Sequence, residues 1–225
     1  MILYHGSDRT VTEPKLQTDA AKEELGPGFY LTPDFAQATI AAHTRVRREQ
    51  RLLEKKSDYD RGVVSIFELD ETVPLKVFRF ESTTAEWLQF AAVNFKNDVY
   101  GEQLTQDILG KYSGYDVIIG KRPDDHTSMI LTAYLAESYG TPESEDAISS
   151  ALSHIFPEQL SEQYCFRTEQ AIHALKFQKK DAPMGASSKK FTADRVLTMA
   201  AQMLAAEQGI SGIDALVKLI KSPVY

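Results

Sequence analysis

Apolar and polar positions alternate or recur along the chain in a way that predicts an uneven mixture of strands and helices. Ile2 to Tyr4 reads as a short strand leading into His5-Gly6-Ser7, and residues 8 to 24 as a polar loop. Phe29, Tyr30 and Leu31 form a brief aromatic and aliphatic strand. From Pro33 to about Lys56, Phe35, Ala38, Ala42 and Val46 recur at one-turn spacing and predict a helix, with Thr32 as N-cap and Pro33 at its first position. After a polar break over residues 57 to 62, Val63 to Leu69 and Leu75 to Phe80 read as strands. Thr83 with Glu86 matches a capping box ahead of a helix with Leu88, Ala91, Ala92 and Phe95 on one face. Tyr115 to Gly120 is a compact strand, Thr127 to Tyr139 a helix, and Thr141-Pro142 starts another helix carrying Ile148, Leu152 and Ile155. Gln163 to Phe166 reads as a short strand and Thr168 to Phe177 as a helix. The stretch KKDAPMGASSKK is the best linker candidate, and two helices follow it, Phe191 to Glu207 and Ser211 to Lys221, broken at Gly209. The order predicts an α+β domain over residues 1 to about 180 and a helical appendage over 190 to 225. Without regular βαβ alternation or a GxGxxG loop, a Rossmann fold is unsupported.

The densest signal is LGPGFYLT, Leu25 to Thr32. Gly26 and Gly28 flank Pro27, so the backbone there can turn tightly or approach a ligand closely. A glycine turn, an aromatic strand and a helix start in succession make a wall suited to a flat ligand. The same residues also fit a buried strand after a loop. His5 ends a strand, where its ring can enter a cleft while Gly6 exposes its backbone groups. A satisfied surface histidine is the other reading.

Composition narrows the setting. Of 225 residues, 43% are hydrophobic and 25% charged, as in soluble globular proteins, and no apolar run is long enough to span a bilayer. The start, MILYHGSD, lacks the basic and apolar regions of a signal peptide. The single cysteine, Cys165, rules out an internal disulfide and points to a reducing, cytoplasmic setting. It reads as an inert core thiol. The net charge of −7 disfavours nucleic-acid binding over the whole surface but leaves room for a local basic patch. Arg45, Arg47, Arg48 and Arg51 form such a run. Arg47 and Arg51 share a helix face and could meet a pyrophosphate or an acidic partner, or simply be solvated. Asp124, Asp125 and His126 cluster without enough ligands for a metal site, so no metal is expected.

Taken together, LYHGS followed by GPGFYLTPDFAQA resembles the nicotinamide-pocket signature of the ADP-ribosyltransferase superfamily, in its poly-ADP-ribose-polymerase and diphtheria-toxin branch. The chain is closer still to an uncharacterised bacterial family grouped with that superfamily. EWLQF (Glu86 to Phe90), YDVIIG (Tyr115 to Gly120) and QYCFRTEQA (Gln163 to Ala171) follow in that family's order, so the resemblance covers residues 1 to about 177. It implies a split β-sandwich with flanking helices and NAD as co-substrate. His5 would bond the ribose next to the adenine. The Gly6 backbone would pair with the nicotinamide amide, assisted by Ser7. Tyr30 would stack on the nicotinamide ring, Gly28 would belong to the binding wall, and Thr32 would support the pocket floor.

Gln163 stands where the superfamily usually has a glutamate that holds a ribose hydroxyl and opposes developing positive charge. A glutamine bonds the hydroxyl but carries no charge, and Glu162 and Glu169 are the nearby alternatives. Ala41 and Ala42 stand near where relatives carry a second aromatic, leaving only His43 close by. The resemblance implies an NAD-dependent ADP-ribosyltransferase, toxin-like by analogy, with a protein, nucleic-acid or small-molecule acceptor. The alternative is a catalytically silent NAD-binding, ADP-ribose-binding or protein-interaction module. The appendage would dock on the parent domain or meet an antitoxin-like partner.

Overall fold

The computed structural model describes residues 1–17, 23–53, 62–96 and 98–181, without the side chains of 49–53. The chain divides into a compact unit over Met1–Ala182 and a second over Pro183–Tyr225. The appendage read from sequence lies outside the described residues.

The first unit is α+β, with two antiparallel-rich sheets. Its strands are β1 (Ile2–Ser7), β2 (Phe29–Leu31), β3 (Val63–Leu69), β4 (Val77–Arg79), β5 (Val117–Lys121), β6 (Glu162–Phe166) and β7 (Leu175–Asp181). Its helices are α1 (Phe35–Leu53), α2 (Ala85–Phe95), α3 (Glu102–Lys111), α4 (Asp125–Leu135), α5 (Glu145–Ser153) and α6 (Glu169–His173). One sheet has the order β1-β3-β7 and the other β2-β6-β5-β4. Among the described residues only the β4–β5 pairing is parallel.

Alternation along β5 and β6 gives the second sheet two apolar faces. Val117, Ile119, Tyr164 and Phe166 face the first sheet and pack with its Leu3 and Phe67. Ile118 and Cys165 face the opposite way, into a core built with Trp87, Phe90, Tyr112 and Tyr134 from the helical side. Among the described residues no helix is long and apolar enough to cross a membrane.

Several boundaries depart from the sequence reading. The stretch expected as one helix from Thr168 to Phe177 is the short α6 followed by β7. Leu175 and Phe177 alternate with Lys176 and Gln178, and β3 supplies a strand partner for them. The expected linker therefore begins inside β7. Helix α3 was not anticipated. Thr32 does not cap α1; the Asp34 carboxylate does, accepting from the Ala36 and Gln37 amides at 2.8 and 3.3 Å. Thr84, not Thr83, caps α2 by accepting from the Trp87 amide, and Glu86 instead takes Lys111 and the Tyr112 hydroxyl. Helix α5 starts behind a Ser144 cap, and Ile155 lies beyond its end.

Candidate functional site

The two sheets meet along one edge. The Tyr4 amide donates to the Thr32 carbonyl at 2.9 Å and the Thr32 amide to the Tyr4 carbonyl at 3.0 Å. This single bridge joins β1 to the end of β2. Beside it opens a cleft of about 370 Å³ whose walls include Tyr4, His5 and Gly6 of β1, Tyr30, Leu31 and Thr32, and Gln163 of β6. Helix α1 forms another wall with Ala41, Thr44, Arg45 and Arg48.

Close packing shapes the β1 wall. A Cβ on Gly6 would come within 1.8 Å of the Ala38 carbonyl oxygen, so glycine is what lets β1 lie against α1. Because the Tyr4 amide and carbonyl point at Thr32, those of Gly6, two residues on, point out of the same edge by the alternation of the ladder. They pass the bridge and lie on the cleft side as a donor and acceptor pair.

His5 is buried, and its ring stacks on Phe29 with centroids 4.5 Å apart. Burial pulls its pKa down to about 4, outweighing the hydrogen bond that favours the charged form. The ring is therefore neutral at pH 7. Nδ1 lies 2.8 Å from the Tyr30 carbonyl oxygen. A carbonyl only accepts, so Nδ1 carries the proton and Nε2 keeps a lone pair for a ligand hydroxyl.

Tyr30 is anchored at its far end, where the hydroxyl donates to the Gly26 carbonyl at 2.5 Å. Gly26 itself adopts a φ of 84°, which glycine allows freely. Burial holds the Tyr30 phenol well above its ordinary pKa, so it stays a donor. The Thr32 hydroxyl donates to the Glu162 carbonyl at 2.9 Å and accepts from the Asp34 amide at 3.2 Å, tying β2, β6 and the start of α1 together.

Gln163 is buried at the cleft, and its Nε2 donates to Glu24 Oε1. Glu162 points to the other face of β6, as strand alternation requires, and pairs with Arg79. Glu169 sits in the first turn of α6, away from the cleft lining. Gln163 is thus the member of the three that reaches the cleft.

Two expected site residues sit elsewhere. Gly28 does not line the cleft; a Cβ there would lie 2.5 Å from Cys165 Sγ and 2.6 Å from the Phe166 carbonyl oxygen, so it serves the close approach of β2 to β6. Ser7 donates to Asp8 Oδ1 at 3.0 Å and lines a second cavity of about 310 Å³, which shares only His5 and Arg45 with the first. His43 and Arg47 are absent from the cleft wall, and the Arg51 side chain lies outside the described residues. The basic pair on α1 is Arg45 with Arg48, one turn apart, rather than Arg47 with Arg51.

Arg122, just after β5, adds a third guanidinium that sequence reading missed. None of the three forms an ion pair among the described residues. Glu23 lines the same opening and interacts electrostatically with all three, so the cleft mouth holds three guanidiniums and one carboxylate in a chain of net charge −7.

Glu24 was also missed, hidden in what read as a polar loop. It is buried, and burial together with the neighbouring Glu23 raises its pKa to about 7. The available signal was the Glu23-Glu24 pair directly before the glycine turn. Cys165 is a buried thiol whose pKa burial pushes up to about 12, in keeping with an inert core role. Asp124 caps α4 by accepting from the Thr127 amide, and His126 stacks near Phe156.

A family model described as a protein of unknown function (DUF3990) matches residues 1–177. The chain belongs to that family. The matched span contains every strand up to the middle of β7 and the whole cleft wall. No curated protein matches the chain.

Proposed function

We propose that this DUF3990 protein is an NAD-dependent ADP-ribosyltransferase, transferring ADP-ribose from NAD to an acceptor and releasing nicotinamide. The observation that carries the reading is the convergence of His5, Gly6, Tyr30, Thr32 and Gln163, from three distant stretches, on one cleft at the seam of two sheets. A split sandwich joined at such a seam is the architecture the resemblance implies.

The chemistry of each group suits the substrate. The outward amide and carbonyl of Gly6 match the carbonyl and amino group of a carboxamide. The Tyr30 ring offers a flat face to a nicotinamide ring, worth about 0.5–1.5 kcal/mol beyond burial. His5 Nε2 accepts from a ribose hydroxyl. Arg45, Arg48 and Arg122 suit a pyrophosphate. The reaction breaks a bond to a neutral leaving group with positive charge developing on the sugar. Holding the dinucleotide bent and oriented is therefore much of the task.

A second reading is a silent NAD-binding module. It is favoured by the neutral Gln163 at the position where a carboxylate is usual, and by Ala41 rather than an aromatic on the α1 wall.

Incubation of the protein with labelled NAD and a cell lysate separates the two, with nicotinamide release and label transfer followed together and His5→Ala as control. Transfer or release that disappears in the control supports the enzyme. Binding of NAD without either product supports the silent module.

A further inference from the structure

The buried Glu24 carboxylate, bonded to the cleft residue Gln163, is left without a task by the roles above. Its position is well defined. The next residue, Leu25, is fully buried in the helical-side core and packs 3.0 Å from where a Cβ on Gly120 would stand. Gly120 lies directly opposite Gln163 in the β5–β6 register. The absence of a side chain at 120 thus admits Leu25, and Leu25 delivers Glu24 to the Gln163 amide.

An amide has two ends with opposite hydrogen-bonding sense. An ionised carboxylate only accepts, so it can hold Gln163 only by Nε2. That leaves the Oε1 acceptor as the end available to the cleft. We propose that Glu24 is the positioning residue for Gln163: its carboxylate fixes the amide with Oε1 toward the ligand and polarises it, so that a neutral glutamine acts in part as the missing carboxylate. The inference rests on the reading of the cleft as an NAD site.

The arrangement responds to pH. A protonated Glu24 can donate to Oε1 instead, which turns the NH₂ end toward the ligand and places a donor where an acceptor is required. The charged groups facing Glu24 are Glu23 on its own loop and Arg122 after β5. Tyr30 of β2 and Cys165 of β6 also face it, and burial raises both, so they stay neutral from pH 6 to 8. His5, held near 4, does not titrate in that range either.

Two measurements on the full chain test this. The first is NAD affinity by calorimetry from pH 5.5 to 8.5 for the wild type and Glu24→Gln. The wild type should bind about fivefold to tenfold more tightly at the upper end, with a midpoint near 7, whereas Glu24→Gln, whose amide can hold Gln163 by either end, should bind with an affinity that does not change with pH. The second is the NMR signal of the Gln163 side-chain amide without NAD, which should titrate with the same midpoint in the wild type and not in the variant. A pH rise in affinity retained by Glu24→Gln, or an amide signal that ignores pH in the wild type, overturns the proposal while the NAD reading stands. Absence of NAD binding at every pH overturns both, and the amide titration then still reports whether the Glu24–Gln163 pair forms.

Discussion

At the scale of single residues, two buried groups in the cleft work against each other as pH changes. His5 is held near 4 against 6.5 in the unfolded chain, so the stability linked to it is complete above pH 6.5 and lost as pH falls through 4. Glu24 is held near 7 against 4.5, so its linked stability is complete below pH 4.5 and lost as pH rises through 7. Each is worth about 3 kcal/mol over its window, and between pH 4.5 and 6.5 the two slopes oppose each other. Urea denaturation of Glu24→Gln should therefore show a stability gain over the wild type that grows from pH 4.5 to 7. A gain that does not change with pH would contradict the assignment. Gly6 gives a second residue-scale prediction. Gly6→Ala drives a methyl into the Ala38 carbonyl, so it should lower stability by about 1–3 kcal/mol or more and displace α1 from the cleft. An unchanged urea midpoint would contradict that. At this scale His5, Gly6 and Tyr30 could be singled out from the LYHGS and GPGFYLT motifs and Gln163 through the family resemblance, and all four line one cleft, whereas Gly28, expected in the binding wall, packs against β6 instead. Glu24 could not be singled out, because burial of one carboxylate in a polar stretch depends on Leu25 finding space over Gly120.

At the scale of elements, the seam between the sheets rests on few bonds. Beyond the Tyr4–Thr32 bridge, the Thr32 hydroxyl contributes two hydrogen bonds that reach β6 and the start of α1. Thr32→Val keeps the shape and removes both. It leaves the Asp34 amide and Glu162 carbonyl without that partner, and should cost about 1–3 kcal/mol in chemical denaturation. A cost near zero would mean that these two bonds add little beyond the apolar packing between the sheets. Strands β1, β2, β5 and β6 could be read because each is a compact apolar run between polar breaks. Strand β7 could not: Leu175, Phe177 and their lysines fit a helix end as well as a strand, and pairing with β3 decides between them. The cap of α1 was misplaced by two residues for a related reason. Thr32 and Asp34 are both good caps, and tertiary contact with β6 claims the threonine.

At the scale of the whole molecule, charge is distributed unevenly. An acidic chain concentrates Arg45, Arg48 and Arg122 at one opening, a juxtaposition that sequence order hides because Arg122 is more than seventy positions from the other two. If these cations meet a pyrophosphate, NAD affinity should fall as salt rises from 0.05 to 0.5 M, while binding of free nicotinamide should barely respond (concentrations chosen as roughly spanning strong and weak screening). Arg122→Ala should weaken NAD by about threefold to tenfold and flatten that salt dependence. Equal salt responses for the two ligands would move the anion site away from the arginines.

The most direct test of the central claim is calorimetric titration of NAD into the wild type, Tyr30→Phe and Tyr30→Ala, with folding of each checked by circular dichroism. Tyr30→Phe keeps the ring and loses the hydroxyl, with its bond to the Gly26 carbonyl and its contact with the Cys165 thiol, so it controls for the glycine turn. The account predicts saturable binding of a single NAD by the wild type, a small loss in Tyr30→Phe, and a loss of about tenfold or more in a folded Tyr30→Ala. No saturable binding in the wild type, or equal affinity in Tyr30→Ala, would contradict the nicotinamide cleft.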